Sequence, residues 1–142
     1  MRSVNVFLVF SLSSHFLISS LYSDCIVGNC TTGYGSAIFS KGDSYSGNWR
    51  NGRAEGKGIL KYSDGNRYSG DWKDGKAYGY GTMNYADGSK YVGDWKYSLA
   101  HGRGTLFDAD GTIIFSGIWD MGKMLGEGVK VEKSIAQKEV KN

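Results

Sequence analysis

Four tryptophans, Trp49, Trp72, Trp95 and Trp119, stand 23, 23 and 24 residues apart, and a fixed set of neighbours moves with each. Tyr45-Ser-Gly47-Asn-Trp49, Tyr68-Ser-Gly70-Asp-Trp72, Tyr91-Val-Gly93-Asp-Trp95 and Phe115-Ser-Gly117-Ile-Trp119 are one motif written four times. Seven residues after each tryptophan a Gly-x-Gly begins (Gly56 and Gly58, Gly79 and Gly81, Gly102 and Gly104, Gly126 and Gly128), and an Asp-Gly turn follows at Asp64-Gly65, Asp87-Gly88 and Asp110-Gly111. A partial earlier copy supplies Gly33, Gly35 and Gly42, with Tyr22 and Ile26 in the tyrosine and tryptophan slots. Units of this length cannot bury an apolar face alone, so the copies must stack on one another.

Each copy reads as a β-hairpin. Gly56 to Tyr62 and Arg67 to Trp72 are short alternating runs separated by Ser63-Asp64-Gly65-Asn66, and Asp-Gly between such runs signals a hairpin because glycine takes positive φ without a steric penalty. The expected fold is all-β, an elongated single-layer antiparallel meander of repeated hairpins. Alternation puts Tyr68, Gly70 and Trp72 on one face with Gly56, Gly58, Leu60 and Tyr62, and Lys57, Ile59 and Lys61 on the other. Aromatics thus share a face with glycines, an arrangement in which a ring lies over the bare backbone and restores burial.

Composition agrees. Twenty-two of 142 residues are glycine, none is proline, and 14% are aromatic against 22% charged, which excludes both a collagen and a disordered linker. All the glycines lie between Gly28 and Gly128, which sets the two ends apart from the middle.

Residues 1–23 read as a signal peptide or N-terminal anchor: Arg2 precedes an apolar run from Val6 to Ile18, broken by Ser11, Ser13, Ser14 and His15, that is short and polar for a membrane span. A cleaved signal, a retained anchor and a lipid-anchored Cys25 are the alternatives, with Asp24 a poor residue before a lipidation cleavage. Residues 24–131 form the array and 132–142 a polar tail, either a plain solvated terminus or a cap. Cys25 and Cys30 would pair as a local disulfide in an oxidising compartment, whereas a zinc site of cysteine and histidine lacks ligands, since His15 and His101 are the only histidines. The net charge of +3 is small and interspersed, with no footprint for nucleic acid.

The conjunction Tyr-x-Gly-x-Trp, loop Gly, Gly-x-Gly and Asp-Gly resembles the MORN (membrane occupation and recognition nexus) repeat, over roughly Tyr22 to Val131 in four well-formed copies and a degenerate one. Cys25-Ile-Val-Gly-Asn-Cys30 ahead of Gly33-Tyr-Gly35 looks like the cysteine-bearing start of the array in some exported bacterial proteins of that family. The resemblance implies an elongated twisted antiparallel sheet that serves as a scaffold for protein partners or as a lipid-proximal module. Ser98 replaces the loop glycine of Gly52, Gly75 and Gly122, Phe115 stands for tyrosine, and one extra residue separates the third and fourth copies. Repeat geometry is therefore least constrained from Ser98 to Ile114.

Chemistry-bearing motifs dissolve into the repeat. The Gly-x-Gly pairs lack the third glycine of a dinucleotide fingerprint and the Gly-Lys-Ser/Thr of a phosphate loop, and no cofactor is expected. Ser98, His101 and Asp94 invite a triad, but the His101 slot holds Glu55, Tyr78 and Leu125 in other copies. Asp64, Asp87 and Asp110 fit turn chemistry better than a calcium site, which would want six to eight oxygens. No metal site and no enzyme activity are expected. The candidate binding or packing face is Tyr45, Trp49, Tyr62, Tyr68, Trp72, Tyr85, Tyr91, Trp95 and Trp119, opposite a mixed face with Lys57, Lys61, Arg67, Lys90 and Arg103. The expected function is a non-enzymatic protein-binding scaffold outside the cytoplasm, periplasmic, secreted or membrane-anchored, with an unidentified protein partner. A membrane-associated, phospholipid-proximal module is the alternative.

Overall fold

The computed structural model of the protein describes residues 22–129. The tail at 132–142, and all of the expected leader except Tyr22 and Ser23, lie outside them. Among the described residues ten strands follow in order: β1 (Tyr22–Gly28), β2 (Gly33–Phe39), β3 (Ser44–Arg50), β4 (Arg53–Lys61), β5 (Arg67–Lys73), β6 (Lys76–Asn84), β7 (Lys90–Lys96), β8 (Leu99–Phe107), β9 (Ile113–Asp120) and β10 (Lys123–Val129). Each pairs antiparallel with its chain neighbours in a single sheet, β1 through β10 without a crossover. The meander inferred from the repeat is the fold.

Two kinds of turn alternate along its edges. On one edge Gly65 donates its N–H to the Tyr62 carbonyl and Tyr62 donates to that of Asn66, and the same bonds recur at Tyr85 to Ser89 and Asp108 to Thr112. The other edge carries two-residue turns. Both residues of each have positive φ: Asn51-Gly52, Asp74-Gly75, Tyr97-Ser98 and Met121-Gly122. Mirror-image turns of this kind match the right-handed twist of the flanking strands. Ser98 does not perturb the pattern: it keeps φ at 64°, and its hydroxyl accepts the Ala77 N–H at 3.1 Å while its own N–H donates to the Ala77 carbonyl at 2.9 Å. Gly75 and Gly122 make the equivalent backbone bond to Ala54 and Ala100, so each turn is tied to the copy before it. The one insertion is taken up as a bulge at Ile114 of β9, opposite the Leu106–Phe107 step.

A second bulge recurs inside every full copy. Gly47 faces Gly58 and Trp49 faces Ala54, which leaves Glu55, Gly56 and Lys57 opposite Asn48 alone. The same two extra residues appear opposite β5 and β7. Because two is even, alternation survives and the aromatic and glycine positions stay on one face. The first glycine of each Gly-x-Gly makes this bend; Gly79, for example, has φ of 73°.

Candidate binding face

The aromatic face is the protein's own core. Tyr45, Trp49, Tyr68, Trp72, Tyr91, Trp95 and Trp119 are each 5% exposed or less. Their rings meet edge to face in an unbroken zigzag, Trp49–Tyr45–Trp72–Tyr68–Trp95–Tyr91–Trp119–Phe115, with centroids 5.0 to 5.4 Å apart and planes crossed by 80 to 89°. Each tyrosine therefore contacts the tryptophan of its own copy and that of the next, the geometry in which the positive ring edge meets a negative face.

The polar atoms of these rings are satisfied within the sheet. Tyr45, Tyr68 and Tyr91 donate their hydroxyls to the carbonyls of Asn48, Asp71 and Asp94 at 3.0 Å. Trp49, Trp72, Trp95 and Trp119 donate Nε1–H to the carbonyls of Gly35, Gly58, Gly81 and Gly104 at 3.0 or 3.1 Å. To reach that bond the Tyr68 ring lies across Gly81, where an added Cβ would sit 2.6 Å from its Cζ. Only glycine leaves room. Tyr62 and Tyr85, also assigned to this face, are half-buried and pack against the ladder. Burial pushes the hydroxyl pKa of Tyr45, Tyr62, Tyr68 and Tyr91 well above the ordinary value of 10, and that of Tyr85 up to about 12, with Asp87 adding to it.

None of the described residues covers the opposite face. A depression of about 440 Å³ crosses it over Tyr34, Ser46, Lys57, Ile59, Ser69, Tyr80 and Thr82, floored by Gly47, Gly58, Gly70 and Gly81. A second, of about 360 Å³, is lined by Tyr80, Val92, Arg103, Thr105, Ser116 and Ile118. Tyr34 and Tyr80 stand 63% and 57% exposed. Hydroxyl pairs link strands across the floor: Ser36 with Ser46, and Thr105 with Ser116, both at 2.8 Å. Of the mixed-face residues, Lys57 and Arg103 line these depressions; Lys61 and Lys90 lie toward the Asp-Gly edge beside Arg67 and Phe107.

Other sequence candidates are separately engaged. Asp94 accepts the Arg103 N–H, Ser98 accepts the Ala77 N–H, and His101 Nδ1 lies 3.3 Å from the Asp120 carboxylate. Asp64, Asp87 and Asp110 accept the N–H two residues on, at Asn66, Ser89 and Thr112. The Ser89 hydroxyl and amide hold the Asp87 carboxyl below its usual range. Cys25 and Cys30 are joined as a disulfide that ties β1 to the turn before β2. Among the described residues no group of three or more His, Cys, Asp or Glu is placed to hold a metal ion, and no helix is long and apolar enough to cross a membrane. One role went unread in the sequence: Asp71 and Asp94 brace the bulge by accepting the N–H of Tyr80 and Arg103, at 3.1 and 2.9 Å. Recurrence of Asp before tryptophan in two copies was its signal.

No curated protein matches the chain. The family model for the MORN repeat matches residues 45–67, 68–90, 91–113 and 115–131. These are the segments whose tyrosine, tryptophan and paired glycines build the ring ladder, and over them the chain is a repeat-based binding module that belongs to the MORN-repeat family.

Proposed function

We propose that the chain is a protein-binding scaffold that works outside the cytoplasm. One observation carries this: the aromatic face is consumed as core, while among the described residues the opposite face of the same sheet stays open, with two adjoining depressions rimmed by exposed Tyr34 and Tyr80. A rigid surface with tyrosines standing over a small-residue floor suits a protein partner, because tyrosine offers large contact area at little entropic cost. The paired Cys25 and Cys30 support an oxidising location.

A photo-crosslinking amino acid in place of Tyr34 or Tyr80 should capture a protein in the native extract, and the same group at Asp64 in the turn edge should not. Equal capture at all three positions, or none, would defeat the reading. Flotation with anionic vesicles tests the membrane-associated alternative. Co-flotation with no crosslinked protein would replace the scaffold by a lipid-proximal module.

A further inference from the structure

The central residues of the five Gly-x-Gly pairs, Tyr34, Lys57, Tyr80, Arg103 and Glu127, occupy one slot in successive copies. Tyr34, Lys57, Tyr80 and Arg103 face Asn48, Asp71, Asp94 and Ile118 of the next strand respectively. Lys57 is neutralised there by an ion pair with Asp71. Arg103 meets Ile118 instead, and its guanidinium makes no ion pair among the described residues. Asp94, on the preceding strand, is engaged with the Arg103 backbone N–H. An uncompensated cation thus lines the 360 Å³ depression beside two exposed apolar side chains, Tyr80 and Ile118.

We propose that Arg103 anchors a carboxylate subsite, and that the depression takes an Asp or Glu side chain from an extended segment of a partner protein. This deepens the protein-binding reading above and rests on it. A guanidinium presents a planar fork of donors that matches a carboxylate. In the Thr105–Ser116 pair one hydroxyl donates to the other, which leaves the second hydrogen free to point at the ligand. Neighbouring slots are two strands apart, roughly 9.6 Å, close to one turn of a polyproline II segment, three residues at about 3.1 Å each, after which side chains point the same way. The segment that fits places an apolar residue on Tyr80 and its acidic residue three positions away, over Arg103.

The test pans a displayed random heptapeptide library on the full chain, wild type and Ile118→Asp. The substitution installs the residue that the two preceding copies carry and occupies Arg103 from within, so the fold is kept while the subsite closes. Arg103→Gln and Arg103→Lys are the second pair, should Ile118→Asp lower the melting temperature. Wild type should enrich peptides with Asp or Glu three positions from an aromatic or aliphatic residue. A synthetic peptide of that sequence should bind about tenfold more weakly to Ile118→Asp and Arg103→Gln, with partial recovery in Arg103→Lys. Enriched peptides without an acidic residue, or unchanged binding by Ile118→Asp and Arg103→Gln, overturn the subsite and leave the scaffold reading standing. No enriched peptide together with no crosslink at Tyr80 overturns both. Arg103-dependent flotation of phosphatidylserine vesicles with no peptide enriched assigns the cation to a lipid headgroup and overturns the proposal.

Discussion

The indole N–H of Trp72 donates to the carbonyl of Gly58 across 3.1 Å, and this single bond carries much of the logic of the array. Gly58 belongs to the copy before Trp72, and the Tyr45 ring lies directly over it. Each copy therefore supplies a bare backbone that its own tyrosine covers and the next copy's tryptophan caps.

Removing that side chain should be felt beyond its own copy. Trp72→Ala deletes a rung that touches both Tyr45 and Tyr68 and should cost about 3 to 5 kcal/mol. Trp72→Phe, which keeps a ring but leaves the Gly58 carbonyl without its donor, should cost about 1 to 3 kcal/mol. Urea denaturation followed by circular dichroism separates the two, and unchanged midpoints would show that the rings are not the core.

Glycine at the second position of Gly-x-Gly is required by the tyrosine above it. Gly81→Ala would place a methyl 2.6 Å from Tyr68 Cζ and should cost about 1 to 3 kcal/mol through overpacking. In a Tyr68→Ala background the same change should cost much less. A double-mutant cycle with zero coupling would separate the glycine from the ring.

The Tyr97-Ser98 turn balances two opposed effects. Ser98→Gly relieves a left-handed backbone worth roughly 1 kcal/mol but removes the hydroxyl that accepts the Ala77 N–H, worth a similar amount, and should be near neutral. Ser98→Ala keeps the strain and loses the bond, so it should be destabilised by about 1 kcal/mol. Thermal melts of the pair check the ordering.

Alkali should unfold the protein through its tyrosines. Burial raises the folded-state pKa of Tyr85 to about 12, from 10 in the unfolded chain. Its neutral form contributes stability that is fully present below pH 10 and is lost as pH rises from 10 through about 12. Tyr45, Tyr62, Tyr68 and Tyr91 shift in the same direction. Denaturation midpoints should be flat up to pH 10 and fall above it, with tyrosinate absorbance rising together with unfolding. Tyrosinate formation in a chain that keeps its strand signal would contradict the burial.

Reduction of Cys25–Cys30 should act locally, because the bridge closes a short loop between β1 and the turn before β2. Amide exchange should accelerate over residues 22–39 and stay unchanged from Tyr45 to Trp119. Global unfolding on adding dithiothreitol would show that the array depends on its first copy.

Much of this architecture was legible in the spacing. A 23-residue period with tyrosine, glycine and tryptophan at constant offsets left few alternatives to stacked hairpins, because only a translationally repeated sheet brings the same side chains together in every copy. The face of each ring followed from period-two alternation, which the even-numbered bulges preserve. Whether the nine aromatics were platform or packing was not readable, since pattern shows which residues share a face but not how completely neighbouring rings cover one another. The turn at Tyr97-Ser98 was equally opaque: with serine in the glycine slot its geometry was unconstrained, and the bond from Ala77 that fixes it comes from a residue 21 positions away.

The candidate site divides in the same way. Local spacing dictated the hairpins, the faces and the mixed character of the outer surface, because these depend on contacts within one period. That Arg103 has no ion pair among the described residues arises from a register that sets it against Ile118 where Lys57 meets Asp71. That pairing is set where β8 meets β9, and a cation's compensation is a matter of ångströms across strands that no count along the chain can supply.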